Sequence, residues 1–140
     1  MKNFVKALLL GAVACLALGN AHAQAWPMKP VKFIVSQPAG AGPDVMTRFV
    51  AEHLSKAIGQ PLLIENRPGG QNVIGAQAAA RSAPDGYTFY YGTTAAIVTN
   101  VYTFKNLPYD PKKEFIPVAM VGKSPLLIAA SPQANIKTLS

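Results

Sequence analysis

Apolar positions along this chain repeat with two periods, one of strands and one of helices. Residues 31–35 (VKFIV) are β-rich and partly alternating, the pattern of a strand. Beyond Asp44, the residues Val45, Met46, Phe49, Val50, Leu54, Ala57 and Ile58 fall on one helical stripe. Gly59, with Pro61 soon after, marks the end of that helix. Leu62, Leu63 and Ile64 make a short run that is apolar on both faces, as a covered parallel strand requires. An Ala-rich helix is predicted over residues 74–81, between the turns Arg67-Pro68-Gly69-Gly70 and Pro84-Asp85-Gly86. Tyr87-Thr88-Phe89-Tyr90-Tyr91 predicts a third strand, closed by Gly92-Thr93-Thr94-Ala95-Ala96, and a short helix then runs to about Asn100. Residues 107–115 (LPYDPKKEF) read as a loop, and strands are expected at 116–121 and 126–130. Strand, helix, strand, helix, strand is the βαβ succession of an α/β fold.

The first residues do not belong to that pattern. Lys2 and Lys6 precede an uncharged apolar run at residues 7–19, and Ala21-His22-Ala23 follows with small residues at cleavage spacing. The order is that of a secretory signal peptide, too short to span a bilayer, with cleavage expected after Ala23. Its loss lowers the net charge from +7 to +5 and removes Cys15 and His22. A chain without cysteine has no disulfide or thiolate chemistry. At the other end, SPQANIKTLS stops at what reads as a helix entry, so the chain is expected to be the N-terminal portion of a longer protein. Such a portion should leave an uncovered sheet edge and exposed apolar surface.

Catalytic chemistry finds few residues. His53 lies alone on a helix between Glu52 and Leu54, and Ser36 and Ser124 have no histidine partner for a triad. No cluster has metal-ligand spacing. Gly122-Lys123-Ser124 lacks the earlier glycine and the following helix of a phosphate loop. Gly40-Ala41-Gly42 begins like a dinucleotide fingerprint, but Pro43 and Asp44 stand where the helix should open free of charge. The basic residues are scattered, only Lys112 and Lys113 being adjacent, which argues against a nucleic-acid surface. No cofactor, metal or catalytic residue is expected.

What remains is the backbone. Ligands of open α/β sheets sit beyond the C-terminal strand ends, where helix N-termini carry unpaired N–H groups and about half a positive charge. Two bare loops fit that place, Pro38-Ala39-Gly40-Ala41-Gly42 and Gly92-Thr93-Thr94-Ala95. A carboxylate can approach such amides closely, and threonine hydroxyls add hydrogen bonds. Ordinary turn chemistry accounts for the same composition, so both readings stay open. Two roles also stay open for Asp44, capping or stabilising its own helix start, or meeting a ligand's ammonium group.

The joint presence of PAG-x-G-x-D, GQP, ENRPG, PDGYT and LPYDP, within KPVKFIVSQPAGAGPDVMTRF and the residues after it, resembles the Bug family. These are periplasmic substrate-binding proteins of tripartite tricarboxylate transporters. The resemblance implies a type II periplasmic-binding-protein-like α/β fold with two domains around a cleft. This chain would be its N-terminal part, with residues 1–23 the signal peptide, 24–124 the incomplete first domain and 125–140 the crossover into the second. It further implies a monomer in the periplasm that captures a small carboxylate or amino acid for membrane transporter subunits. By the same resemblance Ala39, Gly40, Ala41, Gly42, Asp44, Thr93 and Thr94 would hold the ligand, through backbone amides and bridging waters. Ala41 stands where the family commonly has glycine, and Gly70-Gln71-Asn72 replaces a more glycine-rich stretch. Two rivals are a ligand sensor for a signalling partner and an enzyme of this fold with catalytic residues further along the protein.

Overall fold

The computed structural model describes residues 26–125, 127–134 and 138; the expected signal peptide lies outside them. Three strands form a parallel sheet in the order β2-β1-β3: β1 (Val31–Val35), β2 (Leu62–Asn66) and β3 (Thr88–Tyr91). Helix α1 (Gly42–Ile58) connects β1 to β2, and α2 (Val73–Ala80) connects β2 to β3. The central strand supplies the sheet's most buried side chains, Val31, Ile34 and Val35. Register decides the function of this sheet. Val35 pairs with Asn66 on one side and Tyr91 on the other, so all three strands end at one level. Their outgoing loops therefore leave side by side.

Beyond β3 the chain makes a π-helical turn at Ala95–Thr99, continues into α3 (Asn100–Thr103), and later forms α4 (Pro111–Glu114). A small core joins this part to the sheet: Ala76, Ala96 and Tyr109 are buried, with Val73, Ala80, Tyr90, Leu107 and Phe115 packed around them. The Tyr90 and Phe115 rings stack 5.3 Å apart, and Tyr109 meets Phe115 edge-on.

Several expectations change. No strand forms at 116–121 or among the described residues of 126–130. Ile116 and Leu127 are each 88 % exposed, and no described residue there pairs with a neighbouring strand; a strand exists only as one side of a ladder. The loop at 107–115 contains α4, because Asp110 caps it by accepting the Lys112 N–H (3.0 Å) while Pro111 presets the first helical φ. Helix α1 ends as expected, Gly59 adopting the left-handed conformation at φ 68°. Its buried face differs from the predicted stripe. Asp44, Thr47 and Ala51 face inward, whereas Val45, Met46 and Phe49 are exposed, Phe49 by 60 %. Polar residues at 44 and 47 go inside because both find partners there; the Thr47 hydroxyl donates to the Pro43 carbonyl at 2.6 Å.

Helix α2 lies against the end of β1 so closely that position 75 must be glycine. A Cβ there would stand 2.9 Å from the Arg67 carbonyl oxygen and from Ser36 Cα and Oγ. Gly75→Ala is expected to destabilise the protein by about 1–3 kcal/mol in chemical denaturation. Gly122→Ala, with open space around its Cβ, should leave the transition where it is.

Candidate functional site

The level strand ends gather three loops at one edge of the sheet: residues 36–41 after β1, 67–72 after β2 and 92–94 after β3. Side chains brace each loop to the next. The Asn66 amide at the end of β2 donates to the Gln37 carbonyl (3.0 Å) and to Asp44 Oδ1 (2.8 Å), tying β2 to the β1 loop. The Ser36 and Tyr90 hydroxyls are hydrogen-bonded across the end of β1 and β3. Asn100 Nδ2 donates to the Gln71 carbonyl (2.9 Å), joining the β2 loop to the helix that follows the β3 loop. Burial pushes the Tyr90 phenol up to about 12, the Ser36 bond only partly opposing it, so Tyr90 stays neutral.

Asp44 is the most heavily used of these groups. It is 1 % exposed, and it occupies the third position of α1, from which an acidic side chain can reach back across the helix start. Asp44 Oδ2 accepts the Gly40 N–H at 2.8 Å and Arg48 Nε at 2.9 Å. Gly40 can be held this way because it takes φ 84°, a left-handed conformation that glycine adopts freely. These bonds outweigh the cost of burial. The Arg48 guanidinium, then the Gly40 amide and Asn66, draw the Asp44 carboxyl down from 3.8 to about 2. Of the two roles open to Asp44, the contacts support the first in part: Ala41 is the cap residue, and the Asp44 carboxylate stabilises the helix start from inside, bonded to Gly40, Arg48 and Asn66.

The expected ligand amides divide into two groups. Gly40 donates to Asp44, and Ala41 donates to the Pro38 carbonyl at 3.1 Å, so both are engaged within the protein. The N–H groups of Ala39, Gly42 and Asp44 have no acceptor among the described residues. Around Gly40 and Gly42 an added Cβ would meet nothing within 4 Å, so the loop surface is bare. In the β3 loop the Thr93 carbonyl accepts the Ile97 N–H (3.1 Å) and its hydroxyl the Ala96 N–H (3.5 Å), leaving the exposed Thr94 hydroxyl without an acceptor or donor among the described residues. The β2 loop was not expected at this edge as a binding element. Gly69, Gly70, Gln71 and Asn72 all have positive φ, and Gln37 Nε2 reaches Asn72 Oδ1 at 3.5 Å. The Gly-Gly and Asn of that run were the available signal, since both residue types favour left-handed backbone. His53 is exposed on the flank of α1 against Phe49 and has no part in the edge.

Residues 46–140 match a family model described as the tripartite tricarboxylate transporter family receptor. A UPF0065 protein of Bordetella bronchiseptica is 40% identical over 140 residues, which are 99% of this chain and 42% of that protein. The chain thus spans less than half the length of this relative. Among solved structures, MatC from Rhodopseudomonas palustris with bound malate superposes with a TM-score of 0.66 at 33% identity, covering 69% of this chain and 33% of that one. An R. palustris protein with adipate gives 0.60 at 36% identity, covering 62% and 29%. The periplasmic binding protein BugD gives 0.58 at 29% identity, covering 64% and 30%.

The Asp44 braces generate a pH dependence. A carboxyl depressed in the folded state adds stability that is full above 3.8 and is lost as pH falls toward about 2. Asp44→Asn should cost about 2 kcal/mol near neutral pH, the scale of hydrogen bonds to a charged group. Glu52, Glu65, Asp85 and Asp110 are also depressed, so the informative quantity is the difference between variant and parent. That difference, followed by urea denaturation at successive pH values, should shrink below pH 3.8.

Proposed function

Because this chain belongs to the tripartite tricarboxylate transporter receptor family, in which the Bug proteins fall, we propose that it is part of a periplasmic receptor for a small carboxylate. One observation carries this reading. Among the described residues the N–H groups of Ala39, Gly42 and Asp44 have no acceptor; they lie at or just before the N-terminus of a 17-residue helix, where Cβ atoms added at Gly40 and Gly42 would meet nothing within 4 Å. That is an anion cradle made of backbone, with the helix end adding partial positive charge. Thr93 and Thr94 stand on the neighbouring loop and supply hydroxyl and amide donors to the same ligand. Gly40 and Ala41 shape the cradle from within, their own amides being spent on Asp44 and Pro38.

Malate and adipate, bound by the two R. palustris structures, make a small dicarboxylate the first ligand class to try. The chemistry is capture and release, with no covalent step and no general base. In the whole protein a second domain closes over the cradle from the C-terminal side, and the closed form is delivered to membrane transporter subunits. Domain boundaries at 24–124 and 125–140, a monomeric state and secretion by residues 1–23 belong to the same proposal.

The test is a titration of the full-length protein with malate, adipate and a panel of other organic and amino acids. A true ligand at 100 times its Kd should add about 2.7 kcal/mol to the stability of unfolding. Gly42→Ala places a methyl in the ligand's path without touching the protein. It should weaken binding roughly tenfold while changing stability by less than about 0.5 kcal/mol. No stabilisation by any acid in the panel would overturn the reading.

A further inference from the structure

An anion cradle with a buried carboxylate beneath it contains an electrostatic conflict. Asp44 Oδ2 is one hydrogen bond from the loop, 2.8 Å from the Gly40 nitrogen, and its charge repels any anion that the neighbouring amides attract. The carboxylate is nevertheless what fixes the loop, since it holds Gly40 at φ 84° from one side. Arg48 resolves the conflict. It lies one turn along α1, donates Nε to Asp44 Oδ2 at 2.9 Å, and donates Nη2 to Asn66 Oδ1 at 3.3 Å. The guanidinium thus neutralises Asp44 and also orients the Asn66 amide, whose nitrogen donates to the other carboxylate oxygen and to the Gln37 carbonyl. It does so from one turn further along the helix, with its side chain half exposed and its Nε bonded to the buried Asp44 carboxylate.

We propose that Arg48 is a positioning and charge-compensating residue for carboxylate binding, acting through Asp44 and without touching the ligand. This inference rests on the carboxylate-receptor reading. Taking away one partner of such a pair leaves the other as an unpaired buried charge, here directly under the anion. A merely structural role for Arg48 would lower stability and leave the sign of the ligand's charge irrelevant. The charge-compensating role requires that the loss be repaired by removing the opposing charge.

The experiment measures malate affinity by calorimetry on the full-length protein and on Arg48→Gln, Arg48→Lys, Asp44→Asn and the double variant Asp44→Asn/Arg48→Gln. Melting curves establish that each is folded. Arg48→Gln should bind malate on the order of tenfold more weakly, with the loss reduced at high salt. Arg48→Lys should keep most of the affinity, because the positive charge remains. The double variant should regain most of what Arg48→Gln loses. A neutral residue 44 still accepts the Gly40 N–H, and its amide nitrogen is accepted by Asn66 Oδ1, freed of Arg48, once the Asn66 amide turns over and gives up its Gln37 bond. The inference is overturned if Arg48→Gln binds malate like the parent, or if the double variant is folded and binds no better than Arg48→Gln. A parent protein that binds malate with no change among the variants sinks this inference alone. A parent that binds neither malate nor any acid of the panel sinks the receptor reading and this inference with it.

Discussion

The structure depends on a single buried carboxylate. Asp44 sits where β1 has ended, α1 has just begun and β2 comes to its last residue, and it bonds to a group from each neighbourhood: the Gly40 amide, the Arg48 guanidinium and the Asn66 side-chain amide. An unpaired carboxylate in that position would be costly, and a fully paired one is rigid. Its depressed titration records that the donors prevail over burial. The βαβ unit is locked at the end that matters, because the parallel register brings Val35, Asn66 and Tyr91 to the same level.

From that lock the edge of the sheet becomes a braced frame. Asn66 and Asp44 join the first two loops, Ser36 and Tyr90 join the first strand to the third, and Asn100 joins the second loop to the helix beyond the third. The braces use side chains, and among the described residues they leave the backbone N–H groups of Ala39 and Gly42, on the loop surface, and of the buried Asp44 without an acceptor. This division explains why the loop is poor in functional side chains. Its polar capacity is in the main chain, and small residues keep that main chain accessible. On the proposed receptor reading, such preorganisation spares a ligand the cost of ordering the loop.

Much of this was legible in the residues themselves. VKFIV announces β1 with the observed bounds, and Gly59 marks the end of α1, because strand composition and a left-handed helix cap are local properties. The two bare loops were found for the same reason. Long-range pairing was not legible. Asp44 and Thr47 look like solvent-facing residues beside Val45, Met46 and Phe49, yet both are buried, Thr47 bonded to the Pro43 carbonyl one turn back and Asp44 to Gly40 and, across the fold, to Asn66. The i, i+4 spacing of Asp44 and Arg48 was a usable hint, and Asn66 at the end of a strand was not. Asp110-Pro111, with Glu114 reaching back to the Asp110 N–H at 2.7 Å, was a helix-start signature read as loop. The apolar runs after Phe115 carry strand composition and form no strand, since a ladder partner is not a property of the run. The family match then brings in what geometry alone does not specify, the chain's membership of the tripartite tricarboxylate transporter receptor family.

The central claim is that unpaired main-chain amides of the β1 loop grip the carboxylate. Amide NMR of the full-length protein during a malate titration tests it directly. The account predicts that the Ala39, Gly42 and Asp44 N–H resonances move downfield together along one saturation curve, with Thr93 and Thr94 following, while Gly40 and Ala41, already bonded within the protein, move little. Saturable binding that leaves the Ala39, Gly42 and Asp44 amides unmoved would contradict it.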